Sequence, residues 1–190
     1  MESETRSRRE ELLAKLVDAA DEILSTEGPD SLTARDVSDR VGLARNSLYR
    51  YVDSIDELRA LVVAKYLPSW TAAVAESVEV ATSAHDKILA YVKENLIQAK
   101  RNGHGWLMAV SRGLPRSTVT EFLHPHVALE RQLAELCQVI DPVGWSLTRD
   151  FIHSILSTSF TKIDEGEDLD LIIDRAVAAV RAILADRTRA

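Results

Sequence analysis

Apolar residues recur at helical spacing along almost the whole chain, and the interruptions between runs are sharp. Leu12, Leu13, Leu16, Val17, Ala20, Ile23 and Leu24 form one amphipathic run from Ser7 that stops at Gly28-Pro29. Thr33, with Asp36 three residues on, resembles a capping box and predicts a short helix over 34–40 that breaks at Gly42. A third helix is predicted over 45–51. Ser54, with Glu57 at the reciprocal position, opens a fourth, whose Leu58, Leu61, Val62 and Tyr66 lead to Pro68.

Downstream the helical period continues. Ile88, Leu89, Val92, Leu96 and Ile97 predict a helix over 84–101, and Asn102-Gly103-His104-Gly105 breaks it before a short apolar segment over 106–114. Thr118 with Glu121 opens a helix to about 140, interrupted at His124-Pro125-His126, where the missing proline N–H predicts a kink or an end. Asp141-Pro142 reads as N-cap and first position of a helix to 165, stopped by Gly166. A last helix spans 168–187. The pattern predicts an all-α fold of about nine helices: an N-terminal three-helix helix-turn-helix domain over 1–53, and a larger helical domain over 54–190.

Composition agrees with that class. Of 190 residues 46% are hydrophobic, drawn mainly from Ala, Leu, Val and Ile, and ten are aromatic. The one cysteine, Cys137, excludes an internal disulfide framework and a cysteine-based zinc site. The polar start MESETRSRREE and the lack of any long apolar run predict a cytoplasmic protein with no membrane span. Net charge changes the picture more: it is −7 overall, and residues 1–60 hold nine Lys/Arg against fourteen Asp/Glu. A general electrostatic attraction to DNA is therefore absent, and nucleic-acid binding has to rest on local patterning.

That patterning is present over 33–51. A helix-turn-helix needs apolar residues at fixed offsets, a small residue where its two helices cross, and a tight turn between them. Val37, Val41, Leu43, Leu48 and Tyr51 supply the apolar set, Ser38 the small residue and Gly42 the turn. Burying them leaves Arg45, Asn46, Ser47, Tyr49 and Arg50 outward. Arg and Asn suit bidentate bonds to guanine and adenine edges, while Tyr and Ser hydroxyls suit phosphate oxygens. Charge also reverses here, with Arg35, Arg40, Arg45 and Arg50 against Asp36 and Asp39. The same offsets also fit a plain helical hairpin whose arginines face solvent.

The run LTARDVSDRVGLARNSLYRYVDSIDEL resembles the N-terminal signature of the TetR family of bacterial repressors, through Thr33, Val37, Gly42, Leu48, Tyr49, Tyr51, Ser54, Asp56 and Leu58. The resemblance implies double-stranded operator DNA as a partner. Thr33 and Tyr49 would contact phosphates, Arg35, Arg45 and Asn46 bases, and Ser47 and Arg50 either; Tyr51 is a core position in the helix-turn-helix register that DNA contact would also use. Three departures stand out: Ala44 at a common serine cap, Val52 for the usual phenylalanine, and Ile55 at a common phosphate-contacting lysine. Arg6, Arg8 and Arg9 near the start read more simply as a solvated terminus than as a minor-groove arm.

The family also implies a small-molecule effector pocket in the later helices and a homodimer through the last two, about 142–187. The broad apolar arc of Leu171, Ile172, Ile173, Ala176, Val177, Ala179, Val180, Ile183 and Leu184 supports pairing independently, because it exceeds what one neighbour covers. Trp70, Trp106, Phe122, His126 and Phe151 are the candidate pocket residues, each equally at home in a core. His124 and His126 are spaced wrongly for a helical metal pair. No nucleophile elbow, phosphate loop or dinucleotide fingerprint is present, so neither catalytic residues, cofactor nor metal is expected. The alternatives to an effector-released repressor are a helix-turn-helix protein without an effector and, behind it, a small helical enzyme.

Overall fold

The computed structural model describes residues 2–115 and 124–185, with the side chains of 2–5, 45 and 124–126 outside that description. Among the described residues the chain is wholly helical: α1 (Glu2–Glu27), α2 (Ala34–Val41), α3 (Arg45–Leu48), α4 (Ile55–Val80), α5 (Ala84–Asn102), α6 (His104–Ser111), α7 (His124–Ile140), α8 (Trp145–Asp164) and α9 (Leu169–Ala185).

Contacts divide the chain into two units. The first comprises Met1–Tyr66 with Trp106–Leu123, the second Leu67–Gly105 with His124–Ala190. Two helices are shared between them, α4 dividing after Tyr66 and α6 after Gly105.

In the first unit α1 packs on α2 and α2 on α3. Leu16, Ala20, Ile23 and Leu24 of α1 are buried with Val37, Leu48, Leu58 and Val62, the positions that the helical period picked out. Trp106 donates its indole N–H to the Leu24 carbonyl at 3.2 Å and meets Tyr66 edge-on at 5.6 Å. In the second unit α5 is the central helix, touching α7, α8 and α9 through Ile88, Tyr91, Val92, Leu96 and Ala99. Ser83 caps its start by accepting from the Asp86 N–H, and Gly103, at φ 68°, ends it in the left-handed conformation.

Two boundaries differ from the sequence expectation. Helix α4 does not end at Pro68 but continues to Val80. The proline forfeits one backbone bond, yet Trp70, Val74 and Val78 follow at four-residue spacing and all are buried, which outweighs that loss. Within the described residues α7 runs from His124 through Pro125 to Ile140. The expected start at Thr118 lies outside the described residues. Finally, Asp141 does not cap α8 directly. It accepts from the Gly144 N–H at 2.8 Å and from the Thr148 hydroxyl at 3.0 Å, holding an intervening turn, and α8 starts at Trp145.

Candidate nucleic-acid interface

The interface is built on α2, the turn at Gly42, and α3. Thr33 is the N-cap of α2: its hydroxyl oxygen accepts from the Asp36 N–H at 3.2 Å, and its proton goes to the Asp36 carboxylate. At the other end Gly42 has φ 73° and ψ 29°, and its N–H reaches the carbonyls of Ser38 and Asp39. A Cβ there would meet nothing within 4 Å, so backbone conformation alone demands the glycine.

Helix α3 is a single turn. Ala44 offers it no side-chain cap, and the chain continues as a turn, with Tyr51 N–H bonded to the Leu48 carbonyl at 2.9 Å. Position is fixed instead by packing: Leu48 and Val52 are buried, as are Val37 and Ser38 where the two helices meet. The Ser38 hydroxyl is sealed with no hydrogen-bond partner among the described residues.

Anchored in this way, α3 turns Asn46, Tyr49 and Arg50 to solvent, with Tyr49 47% exposed. Ser47 and Tyr51 are half-buried beside them. Arg45 opens the helix, but its side chain lies outside the described residues. Thr33 and Arg35 are exposed at the start of α2, where Arg35 lies 3.7 Å from Asp39.

The arginines are thereby sorted. Arg40 is drawn back onto α1, at 2.9 Å from Glu22 and 2.6 Å from Glu27, and supports the fold rather than the outer face. Among the described residues Arg50 makes no ion pair.

A second cluster, invisible to local patterning, joins α1 to α4. Lys65 bridges Asp18 and Asp21 at 2.8 Å each, and the Tyr66 hydroxyl donates to Asp21 at 2.8 Å. The two aspartates hold the Lys65 ammonium well above the usual lysine range. Burial, then the bond to Asp21, raises the Tyr66 phenol to about 12. These partners lie 44 to 47 residues apart, and only the helical register of Asp18 and Asp21 hinted that they share a face.

Residues 16–62 match the family described as bacterial regulatory proteins, tetR family. The matched segment contains α2, the Gly42 turn and α3 entire. Over residues 16–62 this chain resembles the TetR family. No curated protein matches it. Solved structures with the same fold include a TetR-family transcriptional regulator from Streptomyces coelicolor, with 15% identity, coverage of 95% of this chain and 97% of that one, and a TM-score of 0.69. FadR from Bacillus subtilis, solved with stearoyl-CoA, shares 16% identity over 89% of this chain and 97% of its own, at TM-score 0.68. A protein described as the superantigen pfit also shares the fold, at 23% identity over 87% and 86% and TM-score 0.63. At such identities the likeness shows fold, and one fold carries differently named proteins, so function has to be argued from the site. The segment that matches the family model carries the helix-turn-helix on α2 and α3.

Of the sequence-derived pocket candidates, Trp70, Trp106 and Phe151 have described side chains. Trp70 is buried in the second unit, donating to Asn95 at 2.9 Å, whereas Trp106 belongs to the first. Phe151 is 46% exposed on α8. Phe122 and the His126 side chain lie outside the described residues. Two open grooves exist in the second unit: one of about 550 Å³ between α8 and α9, the other of about 770 Å³ between α4 and α7. Neither is lined by these residues.

Proposed function

We propose that this chain is a homodimeric repressor that holds a palindromic operator through α3 and is released from it by a small-molecule effector. The observation that carries this reading is the outward Asn46–Tyr49–Arg50 face, clamped from beneath by buried Leu48. Asn46, with Arg45 beside it, supplies bidentate base readout; Tyr49 and Thr33 supply phosphate contacts, with Ser47, Arg50 and Arg35 at their flank and Tyr51 beneath. Thr33 would have to turn its proton from Asp36 to a phosphate to take part.

The dimer is proposed through α8 and α9. Ile152, Leu156, Ile172, Ile173 and Val180 of their arcs are already buried within one chain, but Leu147, Phe151 and Leu171 remain half-exposed on the outer side. Isologous pairing would cover them and place two recognition helices about 34 Å, or a multiple of it, apart. An effector is supported by the second unit's separate core and by the stearoyl-CoA bound to the Bacillus subtilis relative, whose 16% identity does not extend to this chain's ligand. Occupancy would reach the helix-turn-helix through α4, which both units share, and a coupling of about 1–3 kcal/mol makes a usable switch. The proposed division of labour is 1–53 for DNA and 54–190 for effector and dimer.

A gel shift on the DNA upstream of its own gene, over a salt series, tests the reading. Retention of a dimer-sized complex that weakens steeply with salt supports it. A monomer in sedimentation that retards no palindromic duplex overturns it.

A further inference from the structure

Asp164, the last residue of α8, reaches the start of α6. Its Oδ1 accepts from the Gly105 N–H at 2.9 Å, and its Oδ2 lies 3.2 Å from His104 Nδ1. The residue preceding α6 is Gly103, which has no side chain to cap it, so a carboxylate distant in sequence meets the first-turn amides instead. The His104 ring lies flat against Phe160, with centroids 4.3 Å apart and planes 26° apart. Phe160 and Asp164 are one turn apart on α8, and they grip the same residue. The neighbouring cation, Lys162, is engaged by Glu165 at 2.7 Å and Glu167 at 3.2 Å.

Gly105 explains itself through this contact. Glycine inside a helix is unfavourable, but a Cβ at 105 would lie 2.7 Å from the Asp164 Cγ. The glycine makes room for the carboxylate. Beyond it, residues 106–111 of the same helix belong to the other unit. A clasp on 104 and 105 therefore holds the end of a helix that both units share.

We propose that the Asp164 carboxylate is a latch on the first turn of α6, and that opening it is the step by which the operator-binding form passes to the released form. The second half rests on the repressor reading above; the first does not. In this proposal the operator-binding form has the latch closed, and opening it lowers operator affinity.

Hydrogen exchange on the full chain, paired with operator binding, tests both halves. Asp164→Ala removes the latch. Gly105→Ala keeps the carboxylate but fills its seat, while raising the intrinsic helix preference of α6. The latch predicts at least tenfold faster exchange of the 106–111 amides in both variants, with global melting still cooperative. It also predicts at least tenfold weaker binding to the duplex from upstream of its own gene. Slower or unchanged exchange in Gly105→Ala would show that α6 follows helix preference alone and would overturn the latch. Faster exchange with unaltered operator affinity would overturn its role as the switch. A wild-type chain that binds no duplex would overturn the repressor reading, and the exchange comparison would still decide whether the latch exists.

Discussion

At the scale of single residues, helix caps and turns were legible in the sequence because they are local. Thr33 with Asp36, Ser54 with Glu57 and the left-handed Gly42 each act within four residues of chain. Arg40 was not legible in the same way. It falls within the basic run over 33–51, yet Glu22 and Glu27 of α1 claim it, and no local pattern shows that. Ser38 carries a cost for fitting the helix crossing, a buried hydroxyl with no partner. Ser38→Ala should therefore raise stability by about 0.5–1.5 kcal/mol, read as a higher midpoint in urea, with operator affinity unchanged. A lower midpoint would show that the hydroxyl is satisfied in solution. Cys137 sets an alkaline limit. Burial raises its thiol from 9.0 to about 11, so the folded chain keeps a proton that the unfolded chain releases earlier. Stability from this group is intact below pH 9 and is lost as pH rises towards 11. Cys137→Ala should flatten the decline over that window in a pH series of thermal melts, and an unaltered slope would contradict it.

At the scale of elements, the sequence revealed helices wherever one face repeats and misplaced their ends wherever proline or a long-range contact decided them. Pro68 looked like a terminus, but the Trp70, Val74 and Val78 face carried α4 onward. Asp141 looked like a cap for α8 and instead holds the turn before it through Gly144 and Thr148. Helix α3 is the weakest element: four residues, no side-chain cap at Ala44, and two buried anchors. Ala44→Ser should add about 1 kcal/mol by giving the orphan first-turn amides an acceptor. The Ser47 N–H already reaches the Ala44 carbonyl at 2.8 Å, so slower exchange at Asn46 would register the cap, and a change confined to other helices would contradict the capping account.

At the scale of the whole molecule, charge and assembly were only half legible. The net charge of −7 takes away a basic-domain argument. It left undetermined which cations face outward; Arg50 does, while Arg40 does not. The broad arc of α9 pointed to pairing, and its buried half turns out to serve the chain's own α5 and α8. What remains for a second copy includes Leu147, Phe151, Leu171 and Ala179, with Ile155, Val177 and Ile183 half-buried beside them. Phe151→Glu would bury two carboxylates across a two-fold interface, which is costly without partners. It should yield a folded monomer in sedimentation with operator affinity down at least a hundredfold; a dimer of normal affinity would place the interface elsewhere.

The central claim is that the outer face of α3 reads DNA, and Asn46 and Tyr49 make different demands on it. The direct measurement is operator affinity for wild type, Asn46→Ala and Tyr49→Phe, each on the upstream palindrome and on a base-substituted duplex at fixed salt. Asn46→Ala should lose about 1–3 kcal/mol on the palindrome and little on the substituted duplex, narrowing the preference. Tyr49→Phe should weaken both alike. Wild-type discrimination that survives Asn46→Ala unchanged, with Tyr49→Phe equally silent, would show that α3 is not the reading helix.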